Sequence, residues 1–196
     1  MDYEPKIFTL PELVGISAKQ IEIHLKLYGG YVTHTNLIRE KIAELETDKE
    51  RNSYLIAELR RRFAFEFDGM RMHEYYFEQF EGGAKPLDAA GAVGALVSEK
   101  YGDTPKFIEH FKAVGMSRGI GWTILYYDPR GRTPHTSWVG DHELGQLAGL
   151  PVLLALDMWE HAYMVDYAPA EKKNYIEAFL NNTNWSAVEE RLKAVQ

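Results

Sequence analysis

Four side chains of this 196-residue chain could together bind a metal ion. His24 and His73 each fall in an apolar stripe with helical spacing, so both should face inward from long helices. Asp157 directly follows a wholly apolar run, and His161 is four residues further on. A helical turn there would place carboxylate and imidazole on one face. Because a buried carboxylate is costly unless it is paired or bound to a cation, a mixed imidazole and carboxylate site for Fe, Mn or Zn is indicated.

Each of these residues also has a simpler interpretation, because a histidine on an apolar face is more often a hydrogen-bonded core residue than a ligand. The combination of three histidines and one aspartate, each expected to face inward, is more informative than any one alone. Other metal and catalytic motifs are missing from the sequence, namely Glu-x-x-His, His-Glu-x-x-His, Gly-x-Ser-x-Gly, the P-loop and any cysteine. These absences exclude a ferritin-like di-iron centre, a zincin protease and thiol chemistry.

The histidines near the amino terminus belong to two predicted long helices. The first begins after Ser17, a plausible N-cap, and its apolar and aromatic residues continue at helical spacing to Leu45. A short polar turn over 47–52 follows. The second helix runs from Leu55 to Phe80, and the short link makes the pair an antiparallel hairpin.

The sequence pattern changes near Gly82-Gly83 and Pro86, which predicts a helical domain over 1–84 and a second domain over 85–196. Alternation and apolar runs in the second part indicate a small α/β domain, so the fold class is α+β. The last helix is expected to be capped near Asn184 or Ser186. The remaining predicted elements are helices over 88–101, 104–114, 171–180 and 187–195 and strands over 121–127, 136–139 and 151–156.

The charge balance limits the possible partners. A net charge of −7 argues against nucleic acid, because phosphate binding needs a basic patch, and it means that an anionic substrate must be attracted by a local group of Lys or Arg. No apolar run is long enough to span a membrane, and the first residues do not resemble a signal peptide. We therefore expect no membrane association and a cytoplasmic location.

The segment 157–163, DMWEHAY, resembles the metal-binding motif of the iron/manganese superoxide dismutases. The resemblance covers essentially the whole chain. His24 followed by Gly29-Gly30-Tyr31-Val32 is similar to the first-helix segment of that family, and 65–77 is similar to its second-helix segment. The segments 119–122 (GIGW) and 184–185 (NW) resemble the glycine-bracketed tryptophan and the carboxy-terminal Asn-Trp of the family.

By this resemblance, His24, His73, Asp157 and His161 would bind one Fe or Mn ion per subunit. The implied fold is a helical hairpin followed by a mixed domain with a three-stranded antiparallel sheet, and the implied activity is disproportionation of superoxide to dioxygen and hydrogen peroxide, an antioxidant function. A homodimer is also implied, with Glu160 bridging to His161 of the partner subunit. The residues implied to wall the cavity are Phe77, Trp122 and Trp159.

The resemblance also implies a residue that hydrogen-bonds the metal-bound solvent. Some members carry a glutamine for this purpose four residues before the second ligand, where this chain has Gly69. Others supply the residue about fifteen residues before the aspartate, which favours His142, with Gln146 as the alternative. Tyr31 would pass protons and restrict entry. The candidates for attracting the anion are Lys26 and either Lys172 or Lys173.

Two departures from the family pattern affect the entrance to the site. His24 and Tyr31 are seven residues apart, whereas the family usually has eight, which would turn one relative to the other by ~100°. The histidine and tyrosine that usually meet across the dimer interface are replaced, at Leu27 or Tyr28 and at Met164. The altered entrance leaves a metal-binding homologue with little turnover as one alternative. A metal-free helical interaction module and a zinc hydrolase are two further alternatives. The choices of Fe or Mn, and of dimer or tetramer, stay open.

Overall fold

The computed structural model describes residues 2–196 and begins with a long helical hairpin. Helix α1 spans Ala18–Leu45, with the Ser17 side chain accepting a hydrogen bond from the Gln20 N–H as predicted for its N-cap. A 3₁₀ turn over Glu46–Asp48 leads directly into α2, Lys49–Glu78. The link is therefore shorter than the predicted turn over 47–52.

The second half contains two short helices, a sheet and two further helices. Its elements are α3 (Ala92–Tyr101), α4 (Thr104–Gly115), β1 (Gly121–Asp128), β2 (Thr133–Gly140), β3 (Val152–Asp157), α5 (Lys172–Asn182) and α6 (Trp185–Lys193), with 3₁₀ turns at Glu160–Ala162 and Pro169–Glu171. This arrangement confirms the predicted α+β fold, a helical hairpin followed by a three-stranded antiparallel sheet with helices. The domain boundary near residue 84 stays a prediction.

The three strands form an antiparallel sheet in the order β2-β1-β3. Strand β1 is central and almost wholly buried. Its residue Trp122 is paired with Val139 on one side and with Asp157 on the other. The end of β3 is therefore fixed next to the start of β1, and Asp157 and Trp122 are neighbours across the sheet.

The hairpin is attached to the sheet by the fully buried side chain of Gln79, at the end of α2. Its amide nitrogen donates to the Ala155 carbonyl at 2.6 Å, and its amide oxygen accepts from the Ala155 N–H at 3.3 Å. Gln79 thus satisfies the backbone of an edge strand, β3, which would otherwise lack a partner in the core. This contact fixes α2 against the strand that ends in Asp157.

Several predicted boundaries differ from the observed ones. Helix α3 starts at Ala92 and not at Asp88, because the Asp88 carboxylate accepts from the Ala90 N–H and forms a turn. Helix α6 starts at Trp185, with Asn184 as its N-cap. Strand β2 is longer than the predicted 136–139. Among residues 2–196, no helix has both the length and the apolar content required to cross a bilayer.

Candidate metal centre

One possible ligand atom from each of His24, His73, Asp157 and His161 lies within 4.8 Å of the other three. The Asp157 Oδ2 atom is 3.0 Å from His24 Nε2, 3.2 Å from His161 Nε2 and 3.6 Å from His73 Nε2. The side chains of His24, His73 and Asp157 are fully buried, and His161 is 15% exposed. The four residues selected from the sequence therefore meet at one point.

Four different elements bring these side chains together. His24 comes from α1, His73 from α2, and Asp157 is the last residue of β3. His161 lies in the 3₁₀ turn Glu160–Ala162. The helical turn predicted for 157–161 is therefore a 3₁₀ turn that begins only at Glu160. The Asp157 Oδ1 atom accepts from the Trp159 N–H at 2.8 Å, which leaves Oδ2 directed at the histidines.

The hydrogen bond of His73 to the Gly69 carbonyl leaves its Nε2 atom free to bind a cation. Its Nδ1 atom lies 2.6 Å from the Gly69 carbonyl oxygen, which can only accept, so Nδ1 carries the proton. The Nε2 atom of a neutral His73 then holds a lone pair, and in the described part of the chain it has no hydrogen-bond partner although it is buried. An unpartnered buried acceptor is costly unless a ligand satisfies it, so this atom is suited to binding a metal.

The electrostatics of the cluster favour the protonation states that bind metals. Burial lowers the pKa of His24, and burial together with the nearby His24 lowers the pKa of His73 well below its usual value. Burial alone would raise the pKa of Asp157, but His161 and His24 outweigh it and hold that pKa below its usual range. Neutral imidazoles and an ionised carboxylate are the forms that ligate a divalent or trivalent ion.

The donor set of three imidazole nitrogens and one carboxylate oxygen is suited to iron, manganese or zinc. The four donors come from a buried cluster, and one of them, His73 Nε2, has no hydrogen-bond partner among residues 2–196. The residues present therefore fit a single transition-metal ion.

His142 and Tyr31 form a hydrogen-bonded pair beside this cluster. The indole N–H of Trp122 donates to His142 Nδ1 at 2.9 Å, so Nδ1 carries no proton. Burial lowers the pKa of His142 to about 4, which keeps its ring neutral at physiological pH and places the proton on Nε2. This Nε2–H then donates to the Tyr31 hydroxyl oxygen at 2.8 Å. The proton of the Tyr31 hydroxyl is left available to another group.

Gln146, the alternative to His142, is directed elsewhere. Its Oε1 atom accepts from the Tyr126 hydroxyl at 2.5 Å, and its amide nitrogen donates to the His142 carbonyl at 3.0 Å. The geometry therefore favours His142 as the side chain next to Tyr31.

Aromatic side chains enclose the cluster. The Phe77 ring centre is 4.9 Å from that of His24, and the buried Trp122 ring meets His73 edge to face at 5.2 Å. Trp159 stacks on His142 at 4.9 Å and on His161 at 5.7 Å. All three residues implied to wall the cavity by the resemblance lie next to a histidine of the cluster or next to His142.

Sequence reasoning missed Tyr76, Phe65 and Arg62 near the centre, and it considered Tyr28 only as a replaced residue at the entrance. Tyr76 lies 4.8 Å from His24, and Tyr28 stacks on His73 at 6.3 Å. Phe65 lies 4.6 Å from His142, and the Arg62 guanidinium lies over the Phe65 ring. Helical spacing was the available signal, because Tyr28 is four residues after His24 and Tyr76 three after His73.

The residues expected to act at the edge of the site lie in different surroundings. The Lys172 amine donates to the Ser117 carbonyl at 2.8 Å and lies over the Trp138 ring, while Lys26 and Lys173 are exposed. Glu160 is exposed and can therefore reach a neighbouring molecule. Tyr28 is buried, with its hydroxyl bonded to the Lys6 N–H and to Glu74.

Comparison with protein families gives one matching family model. Residues 89–191 match the model described as "Iron/manganese superoxide dismutases, C-terminal domain". The matched range is more than half of the chain, and it contains His142, Asp157 and His161.

Individual relatives match over nearly the full length. "Superoxide dismutase [Fe]" of Aquifex pyrophilus is 34% identical, over 97% of this chain and 91% of the relative. "Superoxide dismutase [Fe]" of Cupriavidus metallidurans is 33% identical, over 93% of this chain and 91% of the relative. "Superoxide dismutase [Mn/Fe]" of Aeropyrum pernix is 31% identical, over 87% of this chain and 79% of the relative.

Proposed function

Since this chain belongs to the iron/manganese superoxide dismutase family, we propose that it disproportionates superoxide at one Fe or Mn ion bound by His24, His73, Asp157 and His161. Family membership makes it an oxidoreductase with one such ion per chain. The ligand set and the roles of the surrounding residues are our proposal.

One observation carries the assignment of ligands, the convergence of four donor atoms within 4.8 Å of one another. The unpartnered Nε2 atom of the buried His73 supports it further. A metal-free interaction module would leave this atom unsatisfied at a cost of about 1–3 kcal/mol, and a bound ion removes that cost. A zinc hydrolase has no support among the relatives, which are named for iron or manganese.

When bound, the ion supplies a one-electron redox couple. Two superoxide anions and two protons give one dioxygen and one hydrogen peroxide, so the protein must deliver two protons to the reduced oxygen. Burial lowers the pKa of His24 and of His73, and the neighbouring histidines hold the pKa of Asp157 below its usual range. The charges of the ligands, together with the hydrogen bonds around them, would set the potential of a bound ion.

Tyr31 and His142 are the residues we assign to proton delivery. Burial raises the pKa of Tyr31, so its hydroxyl stays protonated at physiological pH. His142 donates to the Tyr31 oxygen, which leaves the Tyr31 proton free to bond to solvent or peroxide in the cavity. Trp122 fixes the His142 tautomer that makes this possible.

Phe77, Trp122 and Trp159 limit the access of bulk water to the ligands, because their rings pack directly on the histidines. A dry site strengthens the electrostatic effect of every nearby group. The contact between Tyr31 and His142 also supports an active enzyme, and nothing in residues 2–196 favours a homologue without turnover.

We propose that the protein is a homodimer in which Glu160 meets His161 of the partner subunit. Gln20 bonds to the His161 carbonyl and the Val165 N–H, which places the segment 160–165 beside α1. The exposed residues of this region form what we call the interface patch, consisting of Ile23, Glu160, Met164 and Val165. Exposed apolar side chains of this kind are typical of self-association surfaces.

Sedimentation velocity of the metal-loaded protein tests this assembly. We expect a mass of twice 22.5 kDa, and a Val165→Asp variant should sediment as the monomer. Met116→Asp, at a similarly exposed residue outside the patch, is the control and should stay dimeric. A monomeric wild type would refute the dimer. The cytoplasmic location is likewise a proposal, tested by cell fractionation.

The ligand assignment predicts that His73→Ala abolishes metal retention. Protein purified after growth with iron or manganese should contain less than about 0.1 ion per chain, because the variant lacks one of four ligands in a buried site. His110→Ala, an exposed histidine on α4, is the matched control and should retain metal and activity. Stoichiometric metal and normal superoxide consumption by His73→Ala would contradict the assignment.

For His142→Ala we expect metal to stay bound while turnover falls by about 10²-fold, a typical loss for a group that organises proton transfer. Elemental analysis and superoxide consumption of the same sample separate the two effects. Unchanged turnover would transfer the role to Gln146.

A further inference from the structure

The proposed substrate is an anion, whereas the chain carries a net charge of −7. The field of the whole molecule therefore repels superoxide, and a local cation at the entrance has to offset this repulsion. Of the lysines considered from the sequence, Lys172 is held by the Ser117 carbonyl. Among the contacts within residues 2–196, none made by Lys26 or Lys173 places either lysine at the Tyr31–His142 pair.

Arg62 of α2 is the cation whose contacts lead to this pair. Its guanidinium carbon is 3.7 Å from the centre of the Phe65 ring, close enough for a cation–π contact. The half-buried Phe65 ring is in turn 4.6 Å from the His142 ring and 6.2 Å from the Tyr31 ring. Only one aromatic ring therefore separates the guanidinium from the proposed proton-delivery pair.

The orientation of Arg62 is fixed by Glu66, one helical turn further along α2. Its Nε and Nη2 atoms donate to Glu66 Oε1 at 2.9 and 2.7 Å. The Arg62 side chain is 45% exposed and the Glu66 side chain only 6%. The positive group therefore faces solvent, and the carboxylate lies beneath it.

Both charges act on the Tyr31–His142 pair. Burial lowers the pKa of His142 and Asp157 raises it, while His161 and Arg62 lower it further. Burial and Asp157 raise the pKa of Tyr31; beyond these, Glu66 raises it and Arg62 lowers it. Arg62 and Glu66 thus place opposite charges beside the Tyr31–His142 pair.

We propose that Arg62 attracts superoxide to the entrance beside Phe65, and that Glu66 limits the strength of this attraction. The inference rests on the proposed function for the identity of the anion. It assigns this task to the Arg62–Glu66 pair in place of Lys26, Lys172 and Lys173. Arg62 does not touch the reacting atoms, so its effect should appear in the second-order rate constant and not in the later steps.

The test uses metal-loaded, full-length Arg62→Gln and Glu66→Gln at an ionic strength of about 10 mM, where screening is weak. For Arg62→Gln we expect kcat/KM for superoxide to fall about two- to five-fold, and for Glu66→Gln we expect a rise of about two-fold. Both differences should largely disappear at about 0.3 M salt. Arg62→Lys should keep most of the wild-type rate, because the charge remains.

Arg60→Gln and Glu46→Gln are matched controls. This pair is bonded at 2.7 Å where the two helices of the hairpin join, and each substitution changes the net charge by the same amount as its counterpart. Each control should change kcat/KM less than its counterpart does, because its charge lies farther from the Tyr31–His142 pair. Thermal unfolding of every variant shows whether it is folded.

The dissociation constant of azide, a small anion that need not be turned over, provides a second measurement. It should rise for Arg62→Gln and fall for Glu66→Gln, with no change in the controls. If Arg62→Gln matches Arg60→Gln in both azide affinity and kcat/KM, the proposal is overturned. If the variants shift azide affinity as expected but the wild type consumes no superoxide, the proposed function is wrong while the anion site is supported.

Discussion

At the scale of single residues, the contact between Gly69 and Tyr31 determines where the Tyr31 hydroxyl lies. A Cβ atom on Gly69 would be 2.7 Å from Cδ1 and 2.8 Å from Cε1 of the Tyr31 ring. Real Cβ atoms do not approach a ring so closely. The lack of a side chain at Gly69 therefore lets the ring lie against α2 with its hydroxyl at His142.

The seven-residue spacing of His24 and Tyr31 agrees with this position. Helix α1 is continuous over both residues. Seven residues at about 100° each amount to about 20° less than two full turns, so Tyr31 stays on the same face as His24. Relative to the eight-residue spacing usual in the family, the spacing in this chain predicted that Tyr31 is rotated about the axis of α1. The structure nevertheless places the Tyr31 hydroxyl next to His142, because Gly69 leaves room for the Tyr31 ring.

We predict that Gly69→Ala lowers turnover about ten-fold without loss of metal, because the Tyr31 ring must move away from His142. Elemental analysis and superoxide consumption measure the two effects, and a crystal structure of the variant should show a longer Tyr31–His142 distance. Gly30→Ala is the control, since apart from the neighbouring residues and backbone of its own helix no atom of residues 2–196 lies within 4 Å of its added Cβ. An unchanged hydrogen bond in Gly69→Ala would show that the contact has no positioning role.

The four proposed ligands could be selected from the sequence because the aspartate motif is specific and the two helical histidines lie in apolar stripes. The entrance could not be predicted in the same way. Phe65, Tyr28 and Tyr76 are aromatic residues at helical spacing, and such residues usually belong to the core. Arg62 reads as a solvated surface charge until its contact with Phe65 is known.

At the scale of secondary-structure elements, the Arg191 side chain joins three of them. From α6 it donates to the Leu153 carbonyl of β3 and to the Tyr75 carbonyl of α2, each at 3.0 Å, and it pairs with Glu78 at 3.2 Å. The side chain is 15% exposed. It therefore supports the arrangement of α2 and β3, the elements that carry His73 and Asp157.

We expect Arg191→Met to lower the free energy of unfolding by about 2–4 kcal/mol, because two carbonyls and a carboxylate lose a buried partner. Urea denaturation of the metal-loaded protein measures the change. Lys193→Met, which breaks an exposed pair with Glu190, should cost no more than about 0.5 kcal/mol. Equal stability of the two variants would contradict the role of Arg191 in joining these elements.

Most elements were predictable because their apolar residues recur with the period of a helix or form a short buried run. The boundaries that differed depend on contacts that the local pattern does not contain. Strand β2 extends to Thr133 and Gly140 because it pairs with the full length of β1. The start of α6 depends on Asn184, whose side chain accepts from the Ser186 N–H and donates to the distant Glu81 carbonyl.

At the scale of the whole molecule, the fold brings together residues that are far apart in sequence. His24 and Asp157 are separated by 133 residues, and His142 and Tyr31 by 111. Periodicity alone predicts that the histidines face inward, but not that they meet Asp157. The resemblance to a known family supplied that arrangement, and Gln79 and the pairing of β1 with β3 produce it physically.

The most direct test of the central claim, that four side chains bind one redox-active ion, is anomalous diffraction from crystals grown with iron and manganese. Data collected at the absorption edges of the two metals should show one peak per chain, within bonding distance of His24 Nε2, His73 Nε2, Asp157 Oδ2 and His161 Nε2. A peak at another position, or no peak in the presence of ample metal, would contradict the account.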